Sequence, residues 1–491
     1  MAIPANLDAP STRTRIPGGF RWYTFLLAFL VLPNLPLLLA ARPLSLLLRG
    51  YINLDYLLIG LLSFFIPRAV TFVLLFAAIV LDFIHAACVT YLFSPAEFVQ
   101  VMRYGGLLST TRIGLIVAAF ALTLLICFIT TAFTSRRAQM RERRMAIVCM
   151  LILIAALGAA DLRSGRQILL IHNETSDAAP ARLTRTPTLG LLYSQFIYER
   201  YGRGLRLGGQ RAMPSATALA LNHLQDYKTQ TLPPNVVLVL VESWGLAHDP
   251  ALRHAMVDAY SDPSLMARYK VLRGTMPFEG PTTSGEGREL CQSHLGSYVA
   301  KGTTAQLDRC VPLRLHRMGY RTLAVHGFDG KMYDRKEWYP RMGFDDIWFH
   351  DRLEAAGLPD CAGPFPGSCD KAVAGWIGER LRQPSDRPLF VHWVTLSSHL
   401  PIWQSVEEAY AGSCGENVVT RNDIAICAWA HLIATANQSV RDLALGQLGR
   451  PTIFVIVGDH APPFDKDSER AQFSSSEVPY VILLPRLSVT R

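Results

Sequence analysis

The sequence predicts a multi-pass α-helical membrane bundle followed by an α/β domain. Half of the 491 residues are hydrophobic and only 18% are charged, whereas soluble domains carry about 25% charge. The apolar residues concentrate in 22–161, while 162–491 have the mixed composition of a globular domain. In the second part, short β-branched runs alternate with helix-like segments, which is typical of α/β folds.

Four apolar runs form the expected bundle: 25–41, 56–93, 113–133 and 146–160. A membrane span needs about 20 apolar residues, each rising about 1.5 Å, so 56–93 is too long for one helix. Pro67, next to Arg68, is a natural turn between two spans. Division there gives about five transmembrane helices, and one tilted span over 56–93 is the alternative.

Arginines flank the apolar runs and contribute much of the net charge of +9. Clusters of this kind mark cytoplasmic helix ends, so they argue against a nucleic-acid partner. For the N-terminal arm and the 136–144 loop both to be cytoplasmic, an even number of spans must separate them. The division at Pro67 supplies four, and a fifth span carries the rest of the chain outside. The arginines concerned are Arg13, Arg15, Arg21, Arg136, Arg137, Arg141, Arg143 and Arg144.

Three parts are therefore expected: a membrane domain over 1–161, a linker over 162–234 and an extracytoplasmic domain over 235–491. The linker is polar and is expected to form amphipathic helices that lie on the membrane or on the domain. Its apolar positions include Leu191, Leu192, Phe196, Ile197 and Tyr201. Reading the first span as a signal peptide is disfavoured, because four further spans follow it.

Cysteine usage agrees with an outward-facing domain. Cys88, Cys127 and Cys149 lie in the apolar runs and are expected to be small apolar residues. The other six lie in the second part, and an even number in an oxidising compartment indicates disulfides. A zinc site is disfavoured because no Cys-x-x-Cys spacing occurs. Among the possible sets, proximity favours Cys291–Cys310, Cys361–Cys369 and Cys414–Cys427.

Acidic side chains and a histidine follow two of the predicted strands. Continuous apolar runs, typical of a sheet covered on both faces, predict strands at 235–241, 389–395, 452–457 and 478–484. Glu242 follows the first strand, and Asp459 and His460 follow the third. Ligands of α/β sheets sit at the carboxyl ends of strands, so these residues are candidates for a metal site. The alternative is that Asp459 only caps a helix or forms a turn.

A segment rich in hydroxyl groups lies between these positions. Gly280-Pro-Thr-Thr-Ser-Gly-Glu286 precedes a predicted helix. A hydroxyl at a helix start is usually a cap. It becomes a nucleophile when a metal lowers its pKa and the helix end stabilises phosphate charge.

Together these motifs resemble the sulfatase-like branch of the alkaline phosphatase superfamily, and within it the lipoteichoic acid synthase and phosphoglycerol transferase group. That group also places five membrane helices before an extracellular domain. The resemblance implies an alkaline-phosphatase-like fold with one divalent metal ion (Mn, Zn or Mg) held by Glu242, Thr282, Asp459 and His460. Thr282 is the implied nucleophile, because the family's Thr lies four residues before a Glu, here Glu286; Thr283 is the alternative.

Two further segments match the same group. His326-Gly-Phe-Asp-Gly-Lys-Met-Tyr-Asp-Arg335 resembles a segment that lines the headgroup site, which implies substrate binding by His326, Tyr333 and Arg335. The family usually has Trp at the position of Tyr333. His399, in Thr-Leu-Ser-Ser-His-Leu-Pro, matches a His beside the transferring phosphate and is the second implied catalytic residue.

The implied activity is transfer of a phosphoglycerol-type headgroup from a membrane phospholipid, through a phospho-Thr intermediate, to a glycan or polymer hydroxyl. The implied location is the cytoplasmic (inner) membrane of a bacterium, with the catalytic domain on the periplasmic or extracellular side. A phosphoethanolamine transferase shares the same chemistry and is an alternative. A sulfatase-like hydrolase is a second alternative, although the 280–291 segment has no Cys or Ser in a formylglycine context. A non-enzymatic lipid- or polymer-binding protein is a third, and it would predict an incomplete metal set.

Overall fold

A helix bundle precedes an α/β domain in the computed structural model, as the sequence predicts. Most of the expected linker lies outside the described residues, including its five apolar positions named above, and so do Arg13, Arg15, Arg136 and Arg137. The described residues are 21–48, 50–91, 98–99, 101–107, 110–134, 140–163, 184–188, 213–227, 233–293, 307–361, 365–402, 404–415 and 417–486.

The described part of the bundle contains helices α1 to α6 and a short pair of strands. The helices are α1 (Trp22–Val31), α2 (Leu35–Ala41), α3 (Leu54–Leu62), α4 (Arg68–Tyr91), α5 (Thr110–Ala132) and α6 (Met140–Arg163), and the strands are β1 (Ile52–Asn53) and β2 (Thr184–Arg185). Four stretches of the described residues are long and apolar enough to cross a membrane: Trp22–Ala41, Arg68–Tyr91, Thr110–Ala132 and Met140–Ala160.

The segment before Pro67, expected to be a full span, forms the nine-residue helix α3. Its length of about 14 Å is half of the roughly 30 Å hydrocarbon core. Asn53 explains the short helix: its side chain caps α3 by accepting from the Asp55 N–H, and it donates to Asp82, in the middle of α4, at 3.0 Å. The chain has thus already entered the bundle before α3 begins, so a short helix suffices to reach Pro67.

Both basic segments lie at one end of the bundle, as the charge argument requires. The Trp22 N–H, at the start of α1, donates to Glu142 at 3.1 Å. Arg143 donates to the Phe64 carbonyl at 2.7 Å. The Arg68 Nε donates to the Thr134 carbonyl at 2.8 Å. This end of the bundle therefore carries the starts of α1, α4 and α6 and the end of α5. The short helix α3 thus brings the chain back to this end before α4 begins.

A buried polar cluster ties the segment after α6 into the bundle. The Arg185 guanidinium donates to both oxygens of Asp82, at 2.6 to 3.0 Å, and both side chains are buried. It also donates to the Gly50 carbonyl at 2.8 Å and to Asn34 at 3.0 Å. Tyr56 donates to Asp82 at 2.8 Å. Each charge is satisfied, which a charged pair inside an apolar bundle requires.

A seven-stranded sheet organises the second part of the chain. Its order is β4-β11-β10-β3-β9-β5-β6. The five strands from β10 to β6 are parallel to one another. β11 is antiparallel to both of its neighbours, β10 and β4. All four predicted strands are confirmed, as β3, β9, β10 and β11, and β4, β5 and β6 are additional. The strands are β3 (Asn235–Val241), β4 (Tyr269–Pro277), β5 (Arg321–His326), β6 (Asp346–Trp348), β9 (Leu389–Val394), β10 (Thr452–Gly458) and β11 (Glu477–Pro485), beside a small hairpin of β7 (Asp360–Cys361) and β8 (Gly367–Ser368).

Helices cover both faces of this sheet. Alternate residues of β3 pack into two different hydrophobic cores. Val237 and Val239 pack with the helices over 370–382 and 424–445. Leu238 and Leu240 pack with the helices over 216–222, 311–317 and 335–341. The continuous apolar run of β3 is thereby explained, because no face of the strand meets water. The helices are α7 (Ala216–Asn222), α8 (Pro250–Val257), α9 (Pro263–Arg268), α10 (Thr282–Cys291), α11 (Val311–Arg317), α12 (Arg335–Arg341), α13 (His350–Ala355), α14 (Asp370–Arg382), α15 (Gln404–Tyr410), α16 (Val418–Asn422), α17 (Ile424–Leu445) and α18 (Asp467–Arg470).

The three predicted disulfides are confirmed. Cys291–Cys310, Cys361–Cys369 and Cys414–Cys427 are bonded, with Cα atoms 4.2, 4.9 and 5.4 Å apart. Cys88, Cys127 and Cys149 take no part in these disulfides.

The Arg185–Asp82 pair predicts a large stability difference between two carboxylate substitutions. Asp82→Ala should lower the free energy of unfolding by about 3–5 kcal/mol, because Arg185 would remain buried without its partner. Asp226→Ala removes a carboxylate from an exposed pair with His223 and should cost about 1 kcal/mol or less. Denaturant unfolding of the detergent-solubilised protein measures both, and equal midpoints for the two variants would contradict the assignment.

Candidate active site

The register of two strands brings the predicted metal ligands together. β3 and β10 are parallel neighbours, with Val241 opposite Gly458. Glu242 and Asp459 are the next residues along each strand, so they leave the same edge of the sheet side by side. Both are buried, at 3% and 1% exposure, and His460 follows Asp459.

Glu242, Asp459 and His460 converge on one point. The His460 Nε2 lies 3.4 Å from Glu242 Oε1 and 3.4 Å from Asp459 Oδ2. The His460 Nδ1 donates a hydrogen bond to the Ala461 carbonyl at 2.8 Å. This bond leaves Nε2 directed at the two carboxylates. One ligand atom from each residue fits within 4.8 Å of the others.

Two observations show that a divalent cation fits this cluster. The Asp459 Oδ2 is buried without a hydrogen-bond donor, although Oδ1 accepts from the N–H groups of Ser243 and His460, both at 2.7 Å. Burial and the adjacent Glu242 carboxylate raise the pKa of Asp459 to about 7. Burial lowers the pKa of His460, but Asp459 and Glu242 outweigh it and raise that pKa to about 9. The excess negative charge retains a proton, which a metal ion would displace.

Thr282 is the hydroxyl of the 280–286 segment that reaches this cluster. It is the first residue of α10, and its Oγ1 donates to Glu242 Oε2 at 3.0 Å. The Thr283 Oγ1 is also buried, but among the described residues it has no hydrogen-bond partner. The contact with Glu242 therefore favours Thr282 over Thr283, and the N-terminal dipole of α10 favours an anion beside Thr282.

Two glycines in the hydroxyl-rich segment permit this placement. Gly280 has φ +73, and a Cβ there would approach Ser284 Oγ to 2.7 Å. A Cβ on Gly285 would lie 3.0 Å from the Asp459 side chain and 3.1 Å from its Cα. α10 can lie against the Asp459 loop only because Gly285 has no side chain.

Arg288 and Glu289, which sequence patterns did not single out, fasten α10 to the metal-binding loop. The Arg288 Nη2 donates to the Gly458 carbonyl at 2.6 Å, and Nε donates to Glu289 at 2.7 Å. Glu289 also accepts from the Thr217 N–H, at 2.9 Å. Both side chains are buried. The only sequence signal for their role is that two charged residues stand next to each other shortly after the hydroxyl-rich segment.

Arg335, a predicted headgroup ligand, contacts Glu286 on α10. Its Nε and Nη2 donate to Glu286 Oε2 at 3.1 and 2.8 Å. Tyr339 also donates to Glu286, and the His392 Nε2 lies 3.4 Å from it. Burial raises the pKa of Glu286, but Arg335 and His392 outweigh it and lower that pKa to about 2. Glu286 is therefore the anion that orients Arg335 beside α10.

The other two predicted headgroup ligands lie near Arg335. The His326 Nδ1, at the end of β5, lies 3.0 Å from the Val394 carbonyl, to which it donates. Burial, and then Arg335, lower the pKa of His326 to about 3, so it is a neutral imidazole. The Arg335 guanidinium lies 5.2 Å from the centre of the Tyr333 ring. Tyr333 and Asp334 both have positive φ, of 58 and 55, which is a strained turn of the kind found at functional sites.

His399 lies at the more open side of the cluster. Its Nε2 is 3.8 Å from Glu242 Oε1, and its side chain is 22% exposed. The Phe365 ring packs against it with centroids 4.3 Å apart. Burial lowers the pKa of His399 despite the Glu242 carboxylate, so the imidazole is biased towards its neutral form.

A buried carboxylate orients the loop that carries His399. Asp370 accepts from the N–H groups of Leu396 and Ser397, at 3.0 and 2.7 Å. Burial raises the pKa of Asp370 to about 6. Ser398 of the same loop donates to the Glu242 carbonyl at 2.6 Å. Asp370 thus positions His399 relative to Glu242.

Comparison with known proteins places this site in a family. The sequence model of the sulfatase family matches residues 234–490, and among curated proteins the chain has no significant sequence match. One similar solved structure is the lipoteichoic acid synthase LtaP from Listeria monocytogenes, with 15% identity over 54% of this chain and 72% of that chain and a TM-score of 0.37.

Two further structures resemble the same part of the chain. The phosphoglycerol transferase GacH from Streptococcus pyogenes, solved with sn-glycerol-1-phosphate, has 17% identity over 55% of this chain and 77% of that chain, with a TM-score of 0.39. The zinc complex of the C-terminal periplasmic domain of EcEptC from Escherichia coli has 12% identity over 53% of this chain and 75% of that chain, with a TM-score of 0.36.

The family match covers more than half of the chain and includes Glu242, Thr282, Asp459 and His460. The resemblance predicted from the motifs is therefore confirmed at the level of the family. This chain belongs to the sulfatase family.

Proposed function

We propose that this protein transfers a phosphoglycerol-type headgroup from a membrane phospholipid to a glycan or polymer hydroxyl, through a phospho-Thr282 intermediate. The observation that carries the proposal is the 3.0 Å contact from the Thr282 hydroxyl to Glu242, beside a buried carboxylate and histidine cluster. The α/β domain that carries this cluster follows a bundle whose helices are long enough to cross a membrane. At a membrane, phospholipid is the phosphodiester at the highest local concentration, which favours it as the donor.

Glu242, Asp459, His460 and Thr282 would hold the metal. Three oxygens and one nitrogen suit Mn²⁺, Zn²⁺ or Mg²⁺. When bound, such an ion lowers the pKa of the Thr282 hydroxyl and neutralises phosphate charge.

The protein's own groups then account for both halves of the reaction. Thr282 Oγ forms a bond to phosphorus while the bond to the diacylglycerol oxygen breaks, and its proton leaves towards Glu242. The acceptor hydroxyl later attacks the phospho-Thr282 adduct and restores the free Thr282 side chain. The neutral His399, beside Glu242, receives the Thr282 proton by way of Glu242 and gives it to the leaving oxygen; it later takes the proton of the acceptor hydroxyl, which returns to Thr282 by the same route.

The headgroup is assigned to the side of the cluster where His326, Tyr333 and Arg335 lie. Arg335 is fixed by Glu286 through Nε and Nη2, so its Nη1 is the donor proposed to meet an anionic headgroup. The neutral His326 keeps Nε2 unprotonated, since Nδ1 donates to Val394. His326 can therefore accept a hydrogen bond from a headgroup hydroxyl.

The protein is proposed to lie in the bacterial cytoplasmic membrane, with the α/β domain on the periplasmic or extracellular side. Two observations support this orientation. The starts of α1 and α6 share one end of the bundle with Arg143 and Arg68, as expected for the cytoplasmic side. Three disulfides lie in the α/β domain, as expected for an oxidising compartment.

Substitution of the two adjacent threonines should separate the nucleophile from its neighbour. Thr282→Ala should lower transfer from labelled phosphatidylglycerol vesicles by at least about a thousandfold, because it removes the hydroxyl that donates to Glu242 from the start of α10. Thr283→Ala should stay within about tenfold of wild type, a loss that reflects packing alone. Peptide mass spectrometry should find the phosphoglycerol adduct on Thr282, and an adduct on Thr283 would contradict the assignment. Vesicles of phosphatidylethanolamine test the alternative headgroup.

Metal content should depend on the buried cluster and not on a second group at the surface. Asp459→Asn should reduce metal affinity by at least about tenfold and abolish the rise in thermal midpoint when Mn²⁺ or Zn²⁺ is added. Glu354→Gln is the matched control, because Glu354 lies with His350 and Asp360 in an exposed cluster of similar composition. Elemental analysis and thermal unfolding measure both variants; metal loss only in Glu354→Gln would disprove the buried site.

His326 should make the stability of the metal-free protein depend on pH. Its pKa falls from an ordinary 6.5 to about 3 on folding. Between these values the unfolded chain binds one more proton, so stability should fall as pH decreases, by up to about 1.4 kcal/mol per unit. Unfolding midpoints in EDTA between pH 7 and 4 should show this slope reduced in His326→Gln. Parallel curves for the two proteins would show that His326 titrates normally.

A further inference from the structure

The loop that follows the metal-binding motif contacts the outer end of the bundle through Arg470. The Arg470 Nη2 donates to the Thr90 carbonyl at 2.7 Å, and Nη1 lies 3.4 Å from the Val89 carbonyl. Both carbonyls belong to the last described turn of α4, where the helix dipole favours a cation. Arg470 therefore binds the end of a membrane-length helix from the α/β domain.

A short series of contacts connects Arg470 to the predicted metal site. The Arg470 Nε donates to the Phe464 carbonyl at 2.6 Å, and Phe464 packs against Trp429 with ring centroids 6.2 Å apart. The Trp429 indole donates to the Ser243 carbonyl at 2.9 Å, next to Glu242. The end of α4 is thus linked to Glu242 through buried aromatic groups, and to His460 along the chain.

The same end of the bundle approaches the open side of the site. Tyr104 lies in the 3-10 turn Met102–Leu107, between α4 and α5. Burial and a hydrogen bond to Asp334 raise the pKa of Tyr104, which places this turn against the segment that carries Tyr333. The turn between α4 and α5 therefore lies beside the segment that lines the proposed headgroup site.

We propose that Arg470 holds the metal-binding loop on the end of α4 and so keeps the mouth of the active site at the membrane surface, which selects a lipid in the bilayer over a soluble phosphodiester. This inference rests on the proposed lipid-headgroup transfer and adds a positioning residue to it. Arg470 acts through the loop and not on the substrate.

The test uses the full-length protein in lipid nanodiscs or vesicles of phosphatidylglycerol. Arg470→Ala should raise the apparent KM for vesicle lipid by about ten- to a hundredfold, the effect of losing one or two charge-assisted hydrogen bonds. Hydrolysis of a soluble aryl phosphodiester should change by less than about threefold. Arg470→Lys should restore part of the lipid KM, since an ammonium can reach one carbonyl.

Arg450 offers a matched control. It donates to the carbonyls of Ser385 and Pro233, at 2.6 and 3.2 Å, and lies at the opposite edge of the sheet, before β10. Arg450→Ala also removes arginine bonds to backbone carbonyls, but it should leave the ratio of lipid to soluble activity unchanged. Hydrogen exchange should increase at 84–91 and 464–473 in Arg470→Ala and not in Arg450→Ala.

The two readouts distinguish the possible failures. If wild type cleaves the soluble diester but not vesicle lipid, the proposed function is wrong, and hydrogen exchange alone then judges whether Arg470 holds the loop. If wild type uses lipid and Arg470→Ala has an unchanged lipid KM, the inference is overturned. Equal loss of both activities together with metal loss also overturns it, because Arg470 would then only support the fold of the loop.

Discussion

Two buried carboxylates placed side by side are the constraint on which the rest of this structure depends. Parallel β3 and β10 run in register to Val241 and Gly458, so the next residue of each strand, Glu242 and Asp459, must leave the sheet at the same point. Their mutual repulsion in a buried place is unfavourable without compensation. The features of the site around them supply positive charge or donors, and the same charge density is what makes a divalent cation fit.

Compensation of this charge also explains how the nucleophile is oriented. α10 approaches with its positive N-terminus and with the Thr282 hydroxyl as donor, and the absence of a side chain at Gly285 lets it come close. Behind it, Arg288 binds the carbonyl of Gly458, and Glu286 pairs with Arg335. A hydroxyl held in this way needs little reorganisation before it reacts. Stability of the buried acids and reactivity of Thr282 therefore have the same origin.

The parts of this arrangement that follow from local sequence were predictable, and those that follow from packing were not. β3 and β10 are continuous apolar runs that end in acids, so Glu242, Asp459 and His460 were identified. Only the motif distinguished Thr282 from Thr283, since the choice depends on the helix phase against Glu242. The shortness of α3 could not be predicted, because it depends on a hydrogen bond from Asn53 to Asp82. These two residues are 29 positions apart in the sequence. β4 lies at a sheet edge and most of its residues are partly or fully exposed, so its sequence pattern is weaker than that of the buried strands.

Arginine is the side chain that joins the layers of this protein. Arg185 binds Asp82 inside the bundle, Arg288 joins α10 to the metal-binding loop, and Arg470 joins that loop to α4. Each uses several donors of one planar group, which lysine cannot match. The net charge of +9 therefore has two sources: arginines that flank the apolar runs, and inward arginines that satisfy carboxylates and helix-end carbonyls. The second group joins the bundle to the α/β domain, because Arg470, ten residues after His460, binds the last turn of α4.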